Sequence, residues 1–364
     1  MSGQRRRPLI GGCTVYKGRL VSFSALVVLG AVSLPSLAYN ALGAAPAAAE
    51  HISIEQSAAG PAPGTIFVAN AGAYSSQTEG TGKGSVTAYR PGSTGNARPE
   101  LVITAGVDGP NSIAFDRSGN LWVANTNSDA VTEYSRAELA EASPLPTVTI
   151  SLNSPVGDAF SPAGDLWVGS TVGSNYTVDE FTKVQLAKSG SPKPVVSLSP
   201  SDCSFAFDAS GNLWQGSSGS SVYEWAKSQL TRSGSPVPLV TISSTSLSEP
   251  CRPTFDSSGD MWAANYYGDS VVEFSKAQLT SSGSRRARIT IKPKPSSSEP
   301  EGLNNPGDVV FDPSGDLWVP NAGADAVVEL TKAQLAESGS PTPARIIAGP
   351  ATGLNWPWSL AIEP

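Results

Sequence analysis

Arg252 and Asp308 occupy matching positions of a repeating pattern and have the charge and fork geometry to pair with each other or to hold a polar ligand. Asp158 belongs with them. It stands where another copy carries the apolar Ile113, and a buried carboxylate there costs free energy unless it is paired. Asn111, Asp158 and Asp308 together offer oxygen ligands to calcium or another hard divalent cation. Tyr266, Tyr267 and Asp269, close together in one loop, could form an aromatic ligand platform with Trp358, or simply pack as an amphipathic loop. Cys203 and Cys251 fall at equivalent positions of neighbouring units. A bridge between them requires Cα atoms within about 7 Å, and two buried thiols are the alternative.

Other chemistry is excluded. The only histidine is His51, which precedes the repeats, so the repeats supply no histidine base and no histidine metal ligand. No phosphate-cradling glycine loop, redox cysteine pair or hydrolase nucleophile motif is present. The Asp-x-Ser-Gly-Asp strings at 256–260 and 312–316 resemble the start of a calcium loop. They lack its later ligands and run at once into an apolar strand, so they read as tight turns.

The elements that must position these residues are set by the repeat. The string Phe115-Asp116-Arg117-Ser118-Gly119-Asn120-Leu121-Trp122 recurs in variants ending at Trp167, Trp214, Trp262 and Trp318, with spacings of 45, 47, 48 and 56 residues. That period suits a four-stranded propeller blade. In the first full unit, residues 112–115 form an inner strand, 116–120 a turn, 121–125 a second strand, 131–134 a third and 146–152 a fourth. A short helix with a capping box, Ser135 and Glu138, precedes the fourth strand. The box returns at Thr182/Gln185, Ser275/Gln278 and Thr331/Gln334, whereas Ala226 replaces the cap in another copy and predicts a less clean helix start there. Residues 65–106 lack an inner strand, and residues 357–363 supply one with nothing after it. Joining them predicts a sixth, composite blade that closes the ring.

Unit strings such as Leu121-Trp122-Val123-Ala124-Asn125, with a trailing Val-x-Glu-aromatic, resemble NHL-type propeller repeats. They are also similar to YVTN, regucalcin/gluconolactonase and streptogramin-lyase propellers. The resemblance covers about residues 64–364 and implies an all-β, six-bladed propeller. Streptogramin lyases and quinoprotein sugar dehydrogenases depend on mouth histidines, so their chemistry does not carry over. The gluconolactonase type implies a metal held by Glu, Asn and Asp, and no mouth Glu aligns here.

Within that frame, the tryptophans of the second strands read as packing between wedge-shaped blades. Glu133, Glu180, Glu224, Glu273 and Glu329 each precede Arg136, Lys183, Lys227, Lys276 or Lys332 by three residues and read as surface ion pairs. Function is expected where the repeats differ, at the channel mouth. Two rings are expected there: Asn111, Val156, Cys203, Cys251, Gly307 and Trp358, then Ser112, Gly157, Ser204, Arg252, Asp308 and Ser359.

Residues 1–49 carry five basic residues and no acid, followed from Leu20 to Ala38 by an apolar run. They read as an export signal cleaved after Ala38 or Ala49, with an uncleaved anchor as the alternative. Residues 50–63 read as a flexible linker, and 64–364 as the propeller. The remainder of the chain holds 19 basic against 31 acidic residues, which gives no footprint for nucleic acid and no pull toward anionic lipid. The expectation is an exported monomer, not inserted in the membrane once the signal is removed. It would be a non-catalytic binding or scaffold module for a protein, peptide or glycan, with no resident cofactor. The alternative is a metal-dependent, lactonase-like hydrolase using calcium or another divalent cation.

Overall fold

The computed structural model describes residues 60–72, 83–172, 175–199, 204–292 and 302–364. The export signal, His51 and Cys203 lie outside them. The described residues form six sheets of four antiparallel strands, one of them extended by a short parallel fifth strand, and five of the six run in chain order from the channel outward. Blade 1 comprises Pro110–Phe115, Leu121–Asn125, Ala130–Tyr134 and Val148–Ser151, and blades 2 to 5 repeat it. Blade 6 is composite: Pro357–Ile362 is its inner strand, beside Ile66–Asn70, Ser85–Tyr89 and Leu101–Ile103. Ile66 lies opposite Ile362 and Val68 opposite Leu360, so the last strand of the chain closes the ring.

Six apolar clusters lie between adjacent blades, one at each interface. The repeated tryptophans organise them. Trp122 meets Phe160 of the next blade edge to face at 6.1 Å, and Trp167–Phe207, Trp214–Phe255 and Trp262–Phe311 repeat the contact at 5.8, 5.8 and 5.9 Å. Phe67 takes the tryptophan's place in blade 6 and meets Phe115 at 5.2 Å. Burying about 150–250 Å² of ring at roughly 25 cal/mol per Å² contributes on the order of 4–6 kcal/mol per interface before ordering costs.

The Asp-x-Ser-Gly-Asn/Asp strings are hairpin turns. Asp116 Oδ1 accepts the backbone N–H groups of Ser118 and Asn120 at 2.7 and 3.0 Å, and Gly119 takes φ +77°. The fifth turn residue then caps the helical turn after strand three: Lys276 N–H donates to Asp260 Oδ1 at 2.7 Å, and Lys332 N–H to Asp316 Oδ1 at 2.7 Å. At Ala226 the backward half of the capping box survives, with Ala226 N–H donating to Gln229 Oε1 at 2.9 Å.

One expectation is corrected. The repeated glutamates are not surface ion pairs with the basic residue three positions on. Glu133, Glu224, Glu273 and Glu329 are buried, each opposite the tryptophan of its own blade. The lysine stems turn the other way and lie over the hairpin glycines; a methyl at Gly164 would meet Lys183 Cε at 2.7 Å. Where a glutamate has an ion-pair partner, it comes from the outer strand: Arg288 at 2.8 Å from Glu273 and Arg345 at 3.2 Å from Glu329.

Candidate functional site

The inner strands bring the second expected ring together. Arg252 reaches across the channel, donating from Nη2 to the Asp158 carbonyl at 2.7 Å and from Nη1 to Asp308 Oδ2 at 3.4 Å. The same Nη1 lies 3.4 Å from the hydroxyls of Ser112 and Ser359. Ser112 donates to Asp158 Oδ1 at 2.5 Å, and Ser359 donates to Asp308 Oδ2 at 2.9 Å. These five side chains therefore form one network across the channel. The second oxygen of Asp158 is buried and has no hydrogen-bond partner.

The electrostatics follow from burial. Loss of water pushes the Asp158 carboxyl up to about 6, opposed by the Arg252 charge and the Ser112 hydroxyl. Asp308 is raised for the same first reason and held back by Arg252. Two carboxylates share one guanidinium, so the ring favours taking up a proton or a further cation over an anion. A dication between Asp158 and Asp308 would face the resident guanidinium.

The first ring is less unified. Asn111 is half-buried in the bulge between Pro110 and Ser112, and no described contact joins it to Asp158 or Asp308. Cys251 is a buried free thiol 3.8 Å from the Glu249 carbonyl, and burial pushes its pKa up. Its proposed partner Cys203 lies outside the described residues.

The aromatic residues do meet. The Tyr266 ring lies 5.3 Å from Trp358 and 4.8 Å from Tyr267. Tyr266 and Trp358 are buried, whereas Tyr267 is 56% exposed. Asp269 plays a separate, repeated part. At φ +46° it accepts the N–H of Asn305 in the next blade at 2.9 Å, as Asp129 does for Ser154 and Asp325 for Trp356. These aspartates staple neighbouring blades.

Sequence reasoning placed the opening of the channel at the leading end of the inner strands. The main cavity, about 690 Å³, lies beyond Arg252 toward the other end. Ile113, Val309, Leu360, Arg252, Asp116 and Glu133 are among the residues that line it. A second carboxylate cluster, Asp312, Asp316 and Glu329, has oxygens within 4.8 Å of one another on the same side. The sequence signal for both was the repeated turn, which reads first as structure.

In comparisons by sequence, no family model and no curated protein matches the chain. Solved structures do. A protein of unknown function from Bacteroides caccae aligns with a TM-score of 0.56 and 13% identity, covering 82% of this chain and 98% of its own. A chain of a nidogen/laminin complex gives 0.54 and 15%, with coverages of 83% and 99%. The periplasmic gluconolactonase PpgL of Pseudomonas aeruginosa gives 0.50 and 15%, with 82% and 99%. What they share with this chain is the fold. The chain is a six-bladed β-propeller. At these identities the propeller likeness says nothing further of chemistry.

Proposed function

We propose that the protein is an exported, monomeric binding or scaffold propeller that engages a protein, peptide or glycan through the disc face bearing Tyr267. The observation that carries this reading is the pair of features at that end of the channel. The Ser112–Asp158–Arg252–Asp308–Ser359 network spends its polar groups largely on itself, and beside it an exposed tyrosine stands on a buried Tyr266–Trp358 base. A rigid, half-wet aromatic of this kind suits contact with a ligand better than bond-breaking. Export rests on the basic and apolar pattern of residues 1–49; no helix among the described residues is long and apolar enough to cross a membrane. A propeller in a nidogen/laminin complex shows that the fold serves protein binding elsewhere. The test is retention of oligosaccharide and peptide panels on immobilised protein. Tyr267→Ala should cut retention of the bound class about tenfold, and retention that ignores Tyr267 removes this face from the reading.

The buried, unpartnered Oδ2 of Asp158 supports a second reading, a calcium-dependent lactonase-like hydrolase. It requires gluconolactone hydrolysis that calcium stimulates and Asp158→Asn abolishes. Absence of turnover, with no calcium-induced shift in melting, eliminates it.

A further inference from the structure

The outer strand of a propeller blade presents unpaired backbone groups to the surroundings. Five of the six blades here cover that edge with a short segment of the next blade. Gly190 of blade 2 donates to the Thr149 carbonyl of blade 1 at 3.0 Å and accepts the Ser151 N–H at 2.9 Å, while the Ser189 hydroxyl accepts the Thr149 N–H at 3.0 Å. Ser233-Gly234, Ser282-Gly283 and Ser338-Gly339 repeat this parallel clasp on blades 2, 3 and 4, and Thr94-Gly95 of blade 6 covers blade 5. In three of these clasps the φ favours glycine: Gly190, Gly234 and Gly283 take φ +157°, +148° and +153°.

The sixth edge is uncovered. Blade 1 should clasp Leu101–Ile103 of blade 6, but its sequence is one residue short. Leu139-Ala140-Glu141-Ala142-Ser143-Pro144 stands where blade 5 reads Leu335-Ala336-Glu337-Ser338-Gly339-Ser340-Pro341. The Ser-Gly pair is gone. By register, the N–H and carbonyl of Val102 and the N–H of Thr104 correspond to the clasped groups of Thr149 and Ser151. Among the described residues they have no backbone partner. Val102 is 46% exposed, whereas Thr149, Ser197, Thr241, Thr290 and Ile346 at the same place are partly buried.

We infer that the open edge at Leu101–Ile103 is a docking site for an extended peptide of a partner protein carrying a Ser-Gly pair, which adds to blade 6 as the Ser-Gly clasps add to the other blades. The four Ser-Gly copies define the occupant: a parallel segment whose serine hydroxyl accepts the Val102 N–H, and whose glycine exchanges hydrogen bonds with the Val102 carbonyl and the Thr104 N–H. Strand addition of this sort draws affinity from the backbone and selectivity from a position whose φ favours glycine, as at Gly190, Gly234 and Gly283.

The probe is a synthetic peptide spanning residues 231–238, which carries the Ser233-Gly234 clasp, titrated into the full chain while amide exchange is read at Val102 and Thr104. Both amides should exchange freely in the absence of peptide and slow about tenfold at saturation. A peptide carrying Gly234→Val should bind at least about fivefold more weakly, because a β-branched residue is strained at the left-handed φ of +148° that Gly234 takes. Inserting a glycine between Ala142 and Ser143 together with Ala142→Ser rebuilds the blade 5 sequence in blade 1. That variant should melt higher and no longer bind the peptide. Amides already protected without peptide, or protected only as protein concentration rises, would assign the edge to the chain itself or to a second copy and overturn the inference. So would peptide binding unaffected by the rebuilt clasp. Tyr267→Ala should leave this binding unchanged, so failure here and failure of the aromatic face are separate results.

Discussion

The inner strands of the six blades begin in one kind of chemistry and end in another. At their leading ends the equivalent positions hold Ser112, Gly157, Ser204, Arg252, Asp308 and Ser359, of which Ser112, Arg252, Asp308 and Ser359 join Asp158 in a single network. At their trailing ends the same unit recurs. An aspartate binds its own turn and the indole of its blade: Asp116 to Trp122, Asp208 to Trp214, Asp256 to Trp262 and Asp312 to Trp318, at 3.2–3.4 Å. Repetition marks what every blade needs in order to fold. Departure from it marks where one blade does something the others do not. Asymmetry alone still does not make a catalytic site, because the asymmetric ring is largely occupied with itself.

The comparison breaks most completely if the ring opens. Deleting residues 357–364 removes the inner strand of blade 6 and with it Trp358, Ser359 and Glu363. The shortened chain should lose its cooperative thermal transition, followed by circular dichroism. Next in size, Arg252→Met leaves Asp158 and Asp308 buried without a counter-charge. The expected cost is about 3–5 kcal/mol in denaturant melts at neutral pH. Arg345→Met at the trailing end removes a half-exposed partner of Glu329 and should cost no more than about 1 kcal/mol. Equal costs would mean that the two ends are not distinct.

Acidity sharpens the same contrast. Asp158 and Glu133 are pushed up to about 6 and Glu363 to about 7, in each case chiefly by burial. A raised carboxyl holds more protons folded than unfolded between its two pKa values. Stability from these groups is therefore fully present below about pH 4 and falls as pH rises toward 7. For the fully buried Asp158 the loss is on the order of 2–3 kcal/mol. Asp158→Asn should remove that part and melt higher than the parent at pH 8. If Glu363→Gln removes more of the slope, the trailing end governs the pH response.

Blade count, ring closure and the Arg252–Asp308 contact were all legible in the sequence, because each rests on spacing within a repeat. The glutamates were misjudged for a physical reason. A lysine three residues on is near in sequence, but the strand ends between the two, and the lysine stem settles over the hairpin glycine. The depth of the cavity was also hidden, since inner-strand sequence gives the order of residues along the channel but not where it narrows. The missing clasp was visible as a single-residue deletion. It lies in the segment after the helical turn, outside the Phe-to-Trp string that defines the repeat.

The smallest expected effect tests whether the repeated unit is truly structural. In blade 2, Ser161 replaces the turn aspartate. Its hydroxyl accepts the N–H of Asp165 at 3.3 Å, but Trp167 Nε1 is left buried without an acceptor. The four blades that keep the aspartate satisfy the equivalent indole. Ser161→Asp should supply the missing bond and stabilise the protein by about 0.5–1.5 kcal/mol, the net worth of one hydrogen bond. The new carboxylate also lies near Asp165 and Glu180, whose carboxyl is already raised by burial and by Asp165, so the gain should grow as salt screens that repulsion. A gain in urea midpoint that increases between low and high salt would fix the aspartate as a tryptophan anchor. A loss at every salt concentration would mean that blade 2 has adapted to the serine, and that its turn differs from the others for a reason of its own.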